Sequence, residues 1–287
     1  MIRSMTAFAS AEQASSLGVL SFELRSVNHR YLELGLRLPE ELRGLESVLR
    51  ERISTRLTRG KVDVSLRFRS EANTATSLEF NPEALNKLEQ LIAHIKTRFP
   101  EVQTDATALL GWPGVLLKPE IDQVSLQQAA LDLLDRALDD MVSTRSREGD
   151  RLAGFLRDRL NAVEQIVADV RAWLPEIRQT ARARMETRLA ELKQPLDPGR
   201  LEQEIVLQLQ RLDVDEELDR LTVHIAEARR VLKLADAVGR RLDFLMQEFN
   251  REANTLGSKS ADQRTTQAAV ELKVLIEQMR EQVQNIE

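Results

Sequence analysis

Val19-Leu20-Ser21-Phe22-Glu23-Leu24-Arg25-Ser26-Val27 alternates apolar and polar residues with a period of two. In a strand, successive side chains point to opposite faces, so Leu20, Phe22 and Leu24 share one face. Tyr31-Leu32-Glu33-Leu34-Gly35-Leu36-Arg37-Leu38 alternates too, and so does Lys61-Val62-Asp63-Val64-Ser65-Leu66-Arg67-Phe68. Asn28-His29-Arg30 reads as a polar turn linking the first two runs. A short earlier strand is expected near Thr6-Ala7-Phe8. Pro39 starts a helix with Leu42, Leu45, Val48, Leu49 and Ile53 at helical spacing, and Gly60 ends that unit. The order is strand, strand, strand, helix, strand. A small antiparallel sheet with helices on one face is the usual outcome of that order.

Downstream, the period changes to that of helices. Asn81-Pro82-Glu83 opens a helix through Arg98, with Asn81 as cap and Pro82 at its first position. Residues 100–124 hold Pro100, Gly111, Trp112, Pro113, Gly114 and Pro119 and read as a loop-rich excursion. From about Ser125 the chain is nearly all helical. Leu126, Ala130, Leu133, Leu134, Ala137, Leu138 and Met141 form one stripe, which resumes from Leu152 to Val170. Pro195, Pro198 and Gly199 break the second half, and a last helix covers Ala268 to Asn285. The fold class expected is α+β: a small N-terminal domain over residues 1–124, then a long-helix domain over 125–287 with a sub-break near 195–199. Long helices striped on one side need partners, so a homo-oligomer is expected.

The chain has 287 residues, 41 Lys+Arg against 46 Asp+Glu, and a net charge of −5. At roughly 100–200 residues per domain, its length suits two domains. With no cysteine, disulfides, thiolate nucleophiles and zinc–sulfur sites are excluded. Aromatic residues make up only 4%, so stacking platforms for single-stranded nucleic acid are scarce. Met1-Ile2-Arg3-Ser4-Met5 lacks the apolar core of a secretory signal, and no run approaches the ~18 apolar residues of a membrane span. A cytoplasmic protein is therefore expected. Charge is uneven: residues 1–70 carry +4 and residues 71–143 carry −7. Most of the basic residues are arginine, whose bidentate fork suits phosphate.

No Gly-rich phosphate loop, His-Glu-x-x-His or serine elbow is present. Catalysis must lean on carboxylates, on His29, His94 and His224, or on a metal they hold. His94 lies on a helix amid Glu89, Gln90 and Lys96 and reads as a surface or half-buried residue. His29 sits in the polar turn, a place where loops on a rigid sheet often carry function. His224 has the richest context. In Asp213-Val214-Asp215-Glu216-Glu217 through His224, helical spacing aligns Asp213, Glu217 and His224, and Glu216 lies close by. Two carboxylates and an imidazole on one stripe suit Mn²⁺ or Mg²⁺. Downstream, Glu248 and Glu252 are one turn apart, followed by Arg251 and Lys259, with Gly257 read as a helix stop. If these helices are neighbours, either within one chain or between chains, carboxylates and an imidazole converge on a site for metal-assisted phosphodiester chemistry. Arg251 and Lys259 would then hold phosphates.

Ser4-Met5-Thr6, Ser26-Val27-Asn28-His29-Arg30-Tyr31-Leu32-Glu33, Arg59-Gly60-Lys61-Val62-Asp63 and Gln247 to Ser260 together resemble the YicC family, and the likeness runs the length of the chain. Many members open with Thr-Gly-Phe-Gly, where this chain has Thr6-Ala7-Phe8-Ala9. The resemblance implies a metal-dependent endoribonuclease that forms ring-like homohexamers and closes on RNA. RNA-decay enzymes are a further partner class expected here. The residues expected to act remain those read above. Glu217, His224, Glu248 and Glu252 are the catalytic candidates, and the same four with Glu216 are the metal ligands. Arg25, Asn28, His29, Arg30, Arg251 and Lys259 are the RNA-binding candidates. Hydrolysis and attack by the RNA 2′-hydroxyl both remain open. The alternative is a non-catalytic oligomeric adaptor that delivers RNA to another nuclease.

Overall fold

The computed structural model describes residues 2–15, 17–69, 80–116, 122–190, 198–234 and 237–287. Four strands form one sheet: β1 (Ala7–Ser15), β2 (Gly18–Val27), β3 (Leu32–Arg37) and β4 (Gly60–Arg69). The sheet order is β1-β2-β4-β3. β1 and β2 pair antiparallel, as do β2 and β4, with Phe22 facing Leu66 and Leu24 facing Val64. β3 departs from the turn expectation. It does not fold back on β2 but runs parallel to β4, with Leu34 beside Val62. Parallel neighbours need a crossover. A 3₁₀ helix (Glu40–Leu45) and helix α1 (Glu46–Arg56) supply it. The class is α+β as expected, with a mixed rather than wholly antiparallel sheet. Gly60 enters β4 at φ +108°, which a side chain would strain.

Asn81 caps α2 (Pro82–Arg98) by accepting from the backbone N–H groups of Glu83 and Ala84, as its position in the sequence requires. A short α3 (Ala106–Leu110) follows. Helix α4 (Gln123–Ala190) then runs 68 residues, about 100 Å at the usual rise. It serves two cores. Its stripe from Leu126 to Met141 packs under the sheet with Phe22, Leu24, Leu49 and Ile53. From Leu152 to Leu174 the same helix packs with α6 (Asp215–Val231), α7 (Gly239–Lys259) and α8 (Gln263–Val283). In chain order α5 (Pro198–Arg211) comes between α4 and α6. Of the expected break near 195–199, residues 195–197 lie outside the described residues, and Pro198 begins α5.

α7 packs alongside α6, which brings the two acidic stretches of the sequence side by side within one chain. Gly257 does not stop α7, which continues to Lys259. It lies where α7 packs on α8, and a Cβ there would come 3.4 Å from the Cβ of Ala269, an ordinary contact. Among the described residues, no helix is long and apolar enough to cross a membrane.

Candidate metal centre

α7 buries Leu245, Met246, Phe249, Ala253 and Leu256 against its neighbours. Glu248 and Glu252 stand one turn apart at the edge of that apolar face, so both point toward α6. Glu248 is half-buried and Glu252 is 2% exposed. His224 projects from α6 to meet them. Its ring lies edge-on to Phe249, centroids 5.8 Å apart, which fixes the imidazole plane. One ligand atom from each of His224, Glu248 and Glu252 falls within 4.8 Å of the others. An imidazole nitrogen with two carboxylate oxygens fits a divalent cation of the Mn²⁺ or Mg²⁺ type.

Toward the start of α6 and the end of α7 the groove stays polar. Arg220 Nη1 donates to Glu252 Oε1 at 3.4 Å and Arg220 Nη2 donates to Glu216. The Glu216 and Glu252 carboxylates hold the Arg220 proton more firmly than usual. One turn further, Lys259 Nζ donates to Glu217 Oε1 at 2.9 Å. Glu217 is 4% exposed, and its Oε2 is buried with no hydrogen-bond partner. A buried carboxylate oxygen without a donor carries a desolvation penalty.

The trio therefore gathers His224, Glu248 and Glu252 from the five expected ligands. Glu217 lies in the same groove beyond Arg220, engaged by Lys259. Glu216 is at the surface on Arg220. Asp213 does not share the α6 stripe. It precedes the helix, accepts from Asp215 N–H, and pairs with Arg178 of α4 at 2.9 Å. Arg220 is the residue that the sequence reading passed over. Its spacing of four from both Glu216 and His224 was the available signal.

Arg251 is exposed, with no side-chain partner among the described residues. Lys259, at the end of α7, is held by Glu217, and the other RNA-binding candidates sit on β2 and in the segment that joins it to β3. Arg25 faces outward from β2. Asn28 is exposed. His29 Nδ1 lies 3.1 Å from the Tyr31 carbonyl, and its Nε2 is 3.7 Å from Glu33. The Arg30 guanidinium sits 5.3 Å from the centre of the Tyr31 ring.

Family models for YicC-like endoribonucleases match most of the chain, the N-terminal region over residues 2–154 and the C-terminal domain over residues 170–287. A Haemophilus influenzae protein named probable endoribonuclease YicC is 46% identical over 287 residues, covering all of both chains. A Clostridioides difficile protein of the same name is 29% identical over 298 residues, again covering all of both. With both halves matched and a relative this similar along its whole length, the chain belongs to the YicC-like endoribonuclease family.

Proposed function

We propose that the chain is an endoribonuclease that works with a divalent cation, Mn²⁺ or Mg²⁺, held by His224, Glu248 and Glu252. The convergence of those three side chains within 4.8 Å carries the reading. The names of the two relatives supply RNA as the substrate. When bound, such a cation offsets the negative charge that develops on the scissile phosphate. Phe249 holds the His224 ring, and Arg220 holds the Glu252 carboxylate. Glu217 positions the Lys259 ammonium, and Arg251 stands free nearby. These cations are placed to take the non-bridging oxygens of RNA as it crosses the groove. The protein then acts in the cytoplasm as a homo-oligomer, a hexamer, and light scattering checks this against its 32.7 kDa chain mass.

The test is cleavage of a labelled RNA with Mn²⁺, with EDTA, and in the Glu252→Gln variant. EDTA should abolish cleavage while RNA binding persists. Glu252→Gln should cut the rate by ~10²-fold or more and weaken Mn²⁺ binding in calorimetry. RNA binding with no cleavage under any metal would favour the adaptor reading.

A further inference from the structure

Among the described residues, the two helices that touch the sheet, α1 and α4, lie on one side of it, and no described element covers the other side. Its outward rows can be read from the register. One row crosses Phe8, Arg25, Asp63 and Gly35, and the next crosses Ser10, Glu23, Ser65 and Arg37. These residues line a continuous shallow trough across the strands.

Two features of the trough call for a ligand. Phe8 is 58% exposed near the start of β1, where it is paired directly opposite Arg25. Its ring offers a flat apolar face beside a guanidinium on the uncovered side of the sheet. The cations also divide into two sets. Arg67 and Lys61 are engaged by Glu23 and Glu33 at 3.6 Å and 3.0 Å. Arg25 and Arg37 have no hydrogen-bond or ion-pair partner among the described residues. They stand on either side of Asp63, which overhangs Gly35 so closely that a Cβ there would lie 2.7 Å from Asp63 Oδ1. A second aromatic, Tyr31, is 60% exposed where the chain enters β3 and is flanked by Arg30.

We infer that the open face of this sheet binds an unpaired stretch of RNA, with bases stacked on Phe8 and Tyr31 and phosphates held by Arg25 and Arg37. The inference rests on the endoribonuclease reading for RNA as the ligand, and it adds which form of RNA is taken and where. Four strands at ~4.8 Å spacing span about 14 Å. That is room for the two or three splayed bases that such a sheet takes. Bases locked inside a duplex offer no ring face to Phe8. The sheet therefore selects single-stranded segments, and the groove between α6 and α7 works on RNA that the sheet has captured.

The experiment is fluorescence anisotropy in EDTA, with a labelled single-stranded oligouridylate and a labelled RNA duplex of equal length. The parent should prefer the single strand. Phe8→Ala should weaken binding by about tenfold, and Phe8→Tyr should restore it. Both changes are at an exposed position, and circular dichroism checks that the fold persists. Arg25→Gln with Arg37→Gln should flatten the dependence of log affinity on log salt by about 1.4. Affinity and salt slope within twofold of the parent in all sheet variants would overturn the inference, while cleavage by the parent would leave the endoribonuclease reading standing. Failure of the parent to cleave would remove the endoribonuclease reading and leave the sheet result to stand on binding alone. A Phe8→Glu variant of lower mass in light scattering, with RNA affinity unchanged, would overturn the inference in favour of a second copy of the chain on this face.

Discussion

Lys259 shows how a single side chain divides structure from chemistry in the groove. Glu217 is buried, one of its oxygens has no donor, and the Lys259 ammonium is the cation opposite the other. Lys259→Met would leave a buried carboxylate with no counter-charge. The full penalty for such a break is ~3–5 kcal/mol, reduced here because Lys259 is partly solvated; the expected loss is about 2 kcal/mol. Glu217→Gln in the Lys259→Met background should recover most of it, because the charge to be stabilised is gone. Urea midpoints of the two single variants and the double variant measure this. If the double variant is no more stable than Lys259→Met, Glu217 is not held by Lys259 in solution. Cleavage should separate the residues in a second way: Glu217→Gln should reduce it less than Glu252→Gln, since only Glu252 belongs to the trio. Much of the trio was legible in the sequence. Glu248 and Glu252 share a face by their spacing of four, and His224 stood out among three histidines. Which carboxylates of α6 join them was not legible. That depends on how far α6 and α7 slide past each other, which local spacing does not encode.

The contact between α6 and α7 that sets this register is visible at its far end. Glu227 of α6 accepts from Arg230 of its own helix and from Arg241 at the start of α7. The hydrogen bond from Arg230, and then that from Arg241, draw the Glu227 carboxyl down from 4.5 to about 2. A carboxylate whose folded pKa is depressed stabilises the fold fully above its unfolded value, and the contribution fades as pH falls toward the folded value. Glu227→Gln should therefore lower the thermal midpoint slightly at pH 7, as exposed pairs do, with the gap to the parent closing between pH ~4.5 and ~2. A gap that stays constant down to pH 2 would rule out the linkage. Gly149 makes a sharper demand on its element. A Cβ on α4 there would fall 2.0 Å from the Ile2 carbonyl, so Gly149→Ala must push the N-terminal segment off the helix. The expected cost is about 2 kcal/mol, read from the urea midpoint. Among the elements, β2 and β4 were plain because their apolar faces are buried and alternate cleanly. β1 was foreseen only around Phe8, since Ala-rich AFASAEQAS offers little contrast between its faces. The parallel pairing of β3 was hidden for another reason. Alternation shows which face of a strand is apolar but not which neighbour it takes, and here the packing of α1 makes that choice.

At the scale of the whole molecule, the question is what makes two cores behave as one. α4 runs through both, and a knot of contacts sits where they meet. Ser4 bridges to Ile286, Met5 N–H donates to the Asn285 carbonyl at 2.8 Å, and Glu287 N–H donates to the Arg3 carbonyl at 2.9 Å. At the centre is Arg145 of α4, fully buried. Its guanidinium donates to Ser26 Oγ at 2.5 Å and to the Arg59 carbonyl at 3.2 Å, and it pairs with Glu287 at 3.3 Å. One side chain thus ties β2 and the approach to β4 to the residues that close over α7, where a Cβ on Gly239 would strike the Ile286 carbonyl. Arg145→Met keeps most of the volume and removes every one of these bonds. Glu287 Oε2 and the Arg59 carbonyl would lose their Arg145 donor, at an expected cost of about 3 kcal/mol. The consequence for cooperativity is the more telling prediction. Without the clasp, the sheet core and the helical core are joined by the stem of α4 and by the short backbone bridge of residues 3–5 to 285–287, so they should no longer unfold together. Scanning calorimetry should give one transition for the parent and two resolved transitions for Arg145→Met, with RNA cleavage by the variant falling over the interval between them. A single transition at the parental midpoint would mean that α4 alone couples the halves and that the buried arginine is a passenger.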